Sequence, residues 1–105
     1  MIKVSFIEKR KNIVGFSLVG HGTKNSHDDE GRLVCAAVSS AVYMTANTLT
    51  DIIGAKAEIS DNGDVFSLKV TDKISESQPL LRGLRLHLTE LQKDYKKSIT
   101  INSEV

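Results

Sequence analysis

The sequence predicts an α+β domain: a two-layer β-β-α-β-β-α unit with two helices on one face of a mostly antiparallel sheet. A short final strand is possible after the second helix. Three observations carry this expectation. Apolar residues alternate along 2–8 and 13–19, the period of strands with one buried face. The period becomes helical after residue 34 and again after residue 75. Between the two helical segments lie two short apolar runs joined by Asp61-Asn62-Gly63-Asp64, residues suited to a tight turn. At 105 residues, with no repeat or linker, the chain reads as one domain over 1–105.

The elements follow in order. Ile2, Val4 and Phe6 share one face of a strand running from Ile2 to Glu8. Lys9 to Asn12 is a polar turn, and Ile13 to Val19 is the second arm of a hairpin with Val14, Phe16 and Leu18 inward. From Val34 to Ile53 the residues Val38, Ala41, Val42, Thr45, Leu49 and Ile52 recur at helical spacing, and Gly54 is a stop. Ala55 to Ser60 and Val65 to Val70 are the next two strands. Ser75 to Ser98 is the second helix, with Ser75 and Gln78 as a capping box and Pro79 in the first turn. Leu80, Leu81, Leu84, Leu88, Leu91 and Tyr95 form its apolar stripe. Ile99 to Ile101 is the possible last strand, at an edge.

Composition narrows the function classes. The chain is 40% hydrophobic and 26% charged, with one proline and a net charge of +1, an ordinary globular balance. That charge gives no footprint for nucleic acid or an anionic membrane, and the basic groups Lys9, Arg10, Lys11 and Lys93, Lys96, Lys97 read as solvated faces. No apolar run approaches a bilayer span and no signal peptide opens the chain. One cysteine makes no internal disulfide, so a cytoplasmic location is expected.

The chemistry concentrates in "GHGTKNSHDDEGRLVCAAVSS", residues 20–40, which hold two of the three histidines and the sole cysteine. Cys35 is expected in the first turn of the first helix, where unsatisfied N–H groups and the helix dipole favour a thiolate and an oxyanion. His21, just past a strand and flanked by Gly20 and Gly22, is placed as a general base. Two other readings stand beside this one. Cys35 followed by Ala36-Ala37-Val38 also fits an ordinary core helix. His21, His27, Asp28, Asp29 and Cys35 could ligate a metal, although they lack paired ligand spacing. His27 reads as a loop residue, His87 as a helix-surface residue and Ser39 as a small packing residue. The segment 22–31 lacks large apolar side chains and is expected to be a mobile loop.

The stretch "GHG…GRLVCAAVSSAV" closely resembles the ribosomal-processing cysteine protease Prp (YsxB-like) family. That family carries Gly-His-Ala, a short polar loop, then Gly-x-Asp-Ile-Val-Cys-Ala-Ala-Val-Ser. The likeness extends along nearly the whole chain, through "DNGD" and the closing "LLRGLRLHLTELQKDYKKSITI". It implies a bacterial cytoplasmic cysteine endopeptidase that removes the N-terminal extension of a large-subunit ribosomal protein, cutting after an aromatic residue and before small ones. It implies a homodimer, with His21 and Cys35 in the catalytic positions; no cofactor or metal is expected, nor, from the charge and hydropathy above, direct contact with nucleic acid or membrane. The chain departs from the pattern at three places. Arg32 stands where the family has an acid three residues before the cysteine, Gly31 is offset by one from the family glycine, and Gly22 replaces alanine. Asp29 and Glu30 are the nearby acids that could substitute. A peptide-binding module of the same fold that engages the ribosomal protein without cutting it is the alternative reading.

Overall fold

The computed structural model describes residues 1–20 and 29–104. The elements are β1 (Ile2–Lys9), β2 (Asn12–Val19), α1 (Asp29–Asn47) continuing into a π-helical turn (Thr48–Ile53), β3 (Ala57–Asp61), β4 (Val65–Val70), α2 (Ile74–Asp94) and β5 (Ile99–Glu104). The strands form one sheet in the order β3-β4-β2-β1-β5. Three pairings are antiparallel, and β5 runs parallel to β1 at the edge. The α+β prediction, including the optional last strand, describes this architecture.

One face of the sheet carries the core. Ile2, Val4 and Phe6 lie in register with Ile99, Leu18 and Phe16, and Phe16 and Leu18 in turn face Leu68 and Phe66 of β4. Against this face α1 buries Val34, Val38 and Val42, and α2 buries Leu81, Leu84 and Leu88. Each such side chain contributes about 1.5–3 kcal/mol by leaving water. Asp29–Ile53 is long and apolar enough, by length and composition alone, to cross a bilayer. Its Val34, Val38, Val42, Thr45 and Leu49 are nevertheless buried among the sheet and α2, which is the placement of a core helix.

Four local expectations are corrected. The β1–β2 register shifts between Ile7 and Glu8, so Val14 is the extra residue of a bulge; it is buried as expected, but Ile13 rather than Val14 joins the core cluster with Phe16. The helix α1 begins at Asp29, five residues before Val34. Asp29 and Glu30 suit the positive end of a helix, and Arg32 pairs with Asp29 one turn on, which together outweigh Gly31. Ile52 is 79% exposed because the π turn, with its wider i→i+5 spacing, rotates the apolar stripe; Leu49 is buried instead. Gly54 closes this turn at φ 76°, where its N–H bonds the Leu49 carbonyl.

The fourth correction concerns α2. Gln78 makes no capping box with Ser75. Its amide is buried and turned onto β2, where Oε1 accepts from the Ile13 N–H at 2.8 Å and Nε2 donates to the Ile13 carbonyl at 2.8 Å. One turn on, Arg82 donates to the Lys11 carbonyl, and Arg85 pairs with Glu8. A single row of α2 thus grips the β1–β2 hairpin. The hairpin needs the grip, because Arg10 and Lys11 both adopt positive φ without being glycine or asparagine.

Candidate active site

The sequence motif places its chemistry at one end of the sheet, where β2 stops and β1 begins. Gly20 follows β2 at φ 82°, and a Cβ on it would sit 2.5 Å from the Met1 carbonyl oxygen. Only glycine passes β1 so closely, so the residue before His21 is fixed by the fold. His21, Gly22, His27 and Asp28 lie outside the described residues, as does most of the segment expected to be a loop; its last residues, 29–31, are helical.

Cys35 is the seventh residue of α1, about 9 Å along the axis from the helix start at ~1.5 Å per residue. The expected first-turn position is therefore corrected. Dipole stabilisation falls off within the first turn, and the N–H groups without intrahelical acceptors belong to that turn. Neither the thiolate nor an oxyanion at Cys35 draws on the helix start as the sequence pattern suggested.

Two anchors fix the part of α1 that carries Cys35. At the start, the Glu30 carboxylate accepts a hydrogen bond from the Ser98 hydroxyl at 3.1 Å. Ser98 is itself buried at the head of β5, and its carbonyl accepts from the Ile2 N–H at 2.9 Å. One turn beyond Cys35, Ser39 and Tyr43 border a narrow cleft against Leu18, Phe66 and Asp61. The Tyr43 ring meets Phe66 edge-on, centroids 6.4 Å apart, and Phe66 stacks on Phe16 at 6.0 Å. Cys35 thus stands between an anchor at the start of β1 and an anchor near the end of β2. Its side chain is half-buried and packs against the core. The same sheet end releases the chain toward His21.

Along this face the residues run Asp29, Arg32, Cys35, Ser39 and Tyr43, successive neighbours three or four apart. Arg32 is exposed and ion-paired to Asp29. Ser39, expected as a packing residue, borders the narrow cleft and lies one turn along α1 from Cys35. Asp29 and Glu30, weighed as substitutes for an acid at position 32, engage Arg32 and Ser98 respectively. Among the described residues no three His, Cys, Asp or Glu side chains gather as metal ligands.

A second concavity of about 640 Å3 lies between α1 and α2. Small residues (Ala37, Ser40, Ala41 and Gly83) make it deep, Met44 stands 60% exposed in it, and His87 borders it from α2.

The chain matches the family model described as cysteine protease Prp over residues 1–100. No curated protein sequence matches it. Among solved structures it is similar to SMU.848 from Streptococcus mutans, at 23% identity and a TM-score of 0.87, covering 99% of this chain and 97% of that one. It is equally similar in fold to an essential ribosomal processing protease Prp from S. aureus in complex with a substrate peptide, at 19% identity and TM-score 0.87, covering 99% and 100%. The same S. aureus protease with a covalently linked product peptide matches at 23% identity and TM-score 0.82, again covering 99% and 100%.

Proposed function

The chain belongs to the Prp family of cysteine proteases, and from that premise we propose that it removes the N-terminal extension of a large-subunit ribosomal protein through a Cys35–His21 dyad. The observation that carries this reading is the position of Cys35. It is the sole cysteine of a cysteine protease, held between two anchors of α1 above the sheet end from which the chain leaves toward His21. The ribosomal substrate is supported by the S. aureus protease of the same fold, whose structure holds a substrate peptide.

In the proposed reaction His21 accepts the Cys35 proton as Sγ bonds to the scissile carbonyl carbon. His21 then gives that proton to the departing amine nitrogen as the C–N bond breaks, leaving a thioester. Water attacks the thioester, passing a proton to His21; the C–S bond breaks and the proton returns to Sγ. No metal or cofactor enters these steps.

The proposal extends to assembly and place. The protein acts as a homodimer in the bacterial cytoplasm, and the α1–α2 groove is the face that a second copy covers. Its apolar lining and exposed Met44 support that assignment.

Incubating the protein with the extended ribosomal protein and following the mass of the product tests the activity. The expected result is a single trimmed species, absent with Cys35→Ala and strongly slowed with His21→Ala, while His27→Ala changes little. Cleavage by a well-folded Cys35→Ala protein would refute the mechanism.

A further inference from the structure

Cys35 sits too far along α1 for the helix start to polarise it, which raises the question of what charge a substrate meets there. From Leu33 to Asn47 the helix carries none. Arg32 is the nearest charged residue to Cys35 along α1 and the only basic one on that helix. At a separation of three it lies about 4.5 Å from Cys35 along the axis and on the adjoining surface, with Cβ atoms about 5–6 Å apart. Helical side chains lean toward the N-terminus, so the cysteine leans over the turn that holds Gly31 and Arg32.

Among the described residues, the acids nearby do not cancel Arg32 at that point. Glu30 is turned away to Ser98 at the head of β5. Asp29 pairs with Arg32 from the far side, one turn nearer the helix start. That pair is open to water, with side chains 62% and 90% exposed, so it holds the guanidinium weakly. Arg32 has five N–H donors and the Asp29 contact uses one nitrogen, which leaves donors for a second carboxylate. In the other direction the next charge among the described residues is Asp61, beside Ser39 and Tyr43. A peptide laid along this face therefore meets a cation before Cys35 and an anion after it.

We propose that Arg32 is a specificity-determining residue that selects substrates bearing a carboxylate within about two residues of the scissile bond, the reach set by ~3.3 Å per residue of an extended peptide. The proposal rests on Cys35 being the nucleophile. A carboxylate at that point bonds the guanidinium, while a lysine there is repelled. Arg32 acts on the bound peptide and takes no part in proton transfer.

Two measurements on the full-length protein test this separately from the reaction itself. The first compares alkylation of Cys35 by iodoacetate and by iodoacetamide. In both, Sγ bonds to the methylene carbon and iodide leaves with the C–I electron pair; the reagents differ in bearing a carboxylate or a neutral amide. Local positive charge raises the iodoacetate-to-iodoacetamide rate ratio, whatever the thiol's own reactivity. Arg32→Gln is expected to lower the ratio about threefold and Arg32→Glu further, whereas Arg32→Lys keeps it, as suits an exposed charge contact. In ~1 M salt the difference between the variants collapses. An equal ratio in all four proteins at low salt overturns the proposal.

The second measurement compares kcat/KM for two peptides that differ only by Glu or Gln beside the scissile bond, scanned over two positions on each side. The wild type is expected to prefer Glu about fivefold at one position and Arg32→Gln to lose that preference. No preference at any position, or a preference that survives Arg32→Gln, overturns the proposal even where the alkylation ratio shifts. Failure of the dyad reading shows differently, as cleavage retained by Cys35→Ala.

Discussion

Replacing Gln78 by leucine is expected to be among the most destabilising single changes in this fold. Lys9 and Asn12 close the β1–β2 hairpin as partners, so by ladder alternation the next pair, Glu8 and Ile13, turns its backbone groups outward. On that side β4 pairs β2 only as far as Gly15. The Ile13 N–H and carbonyl are left without a strand, and the Gln78 amide supplies both contacts at 2.8 Å while also donating to the Ile74 carbonyl at 2.9 Å. Leucine removes all three. Each orphaned buried backbone group costs about 1–3 kcal/mol, against which leucine avoids burying an amide, so the net loss is about 2–4 kcal/mol. Urea unfolding followed by circular dichroism measures it, with the slope m as the check that the transition is otherwise unchanged. A loss below about 0.5 kcal/mol would mean that other groups satisfy Ile13 and that α2 does not pin the hairpin. Gln78→Glu adds a pH test. Burial and the facing carbonyls raise the carboxyl's folded pKa above its unfolded value, because only the protonated acid donates to them. The folded state is then best held below the unfolded pKa of about 4.3 and weakens as pH rises through the folded value. Wild type lacks this dependence at that site.

Two further outcomes follow from the same framework. Replacing Arg10 and Lys11 by Asn and Gly relieves two positive-φ residues in the hairpin turn and should stabilise the protein by about 1–2 kcal/mol in the same urea assay; an unchanged midpoint would mean that the turn is not strained. Met44→Lys places a charge in the α1–α2 groove, so sedimentation should show a dimer for the wild type and a monomer for the variant, and a dimer in both would remove the groove as the interface.

The fold was legible where a single period ran unbroken. Phe6 facing Phe16, and the stripe Leu81, Leu84 and Leu88, are direct consequences of periods 2.0 and 3.6. It was obscured where a tertiary contact reassigned a residue. Gln78 carries the local signature of a cap, and only its partner 65 residues away shows that it belongs to β2. The bulge at Val14 and the π turn before Gly54 each shift the phase, so one extra residue moved Val14 out of the core cluster and Ile52 into solvent. Asp29 and Glu30 were a readable helix start, since acids favour the positive end, but Gly31 and the polar run before them masked it.

The same misplaced boundary altered the reading of the site more than that of the fold. With the helix starting at Val34, the backbone alone would furnish positive potential at Cys35, and Arg32 would be a loop residue of no fixed direction. Starting at Asp29, the backbone's positive end lies two turns away, and Arg32 becomes a neighbour of Cys35 on one helical face. The burden of meeting an approaching anion therefore passes from main chain to side chain. A helix dipole is indifferent to sequence, whereas a side-chain charge changes with one substitution. This chain carries a cation at position 32, and the peptide preference proposed for it rests on that residue rather than on the fold that holds Cys35 in place.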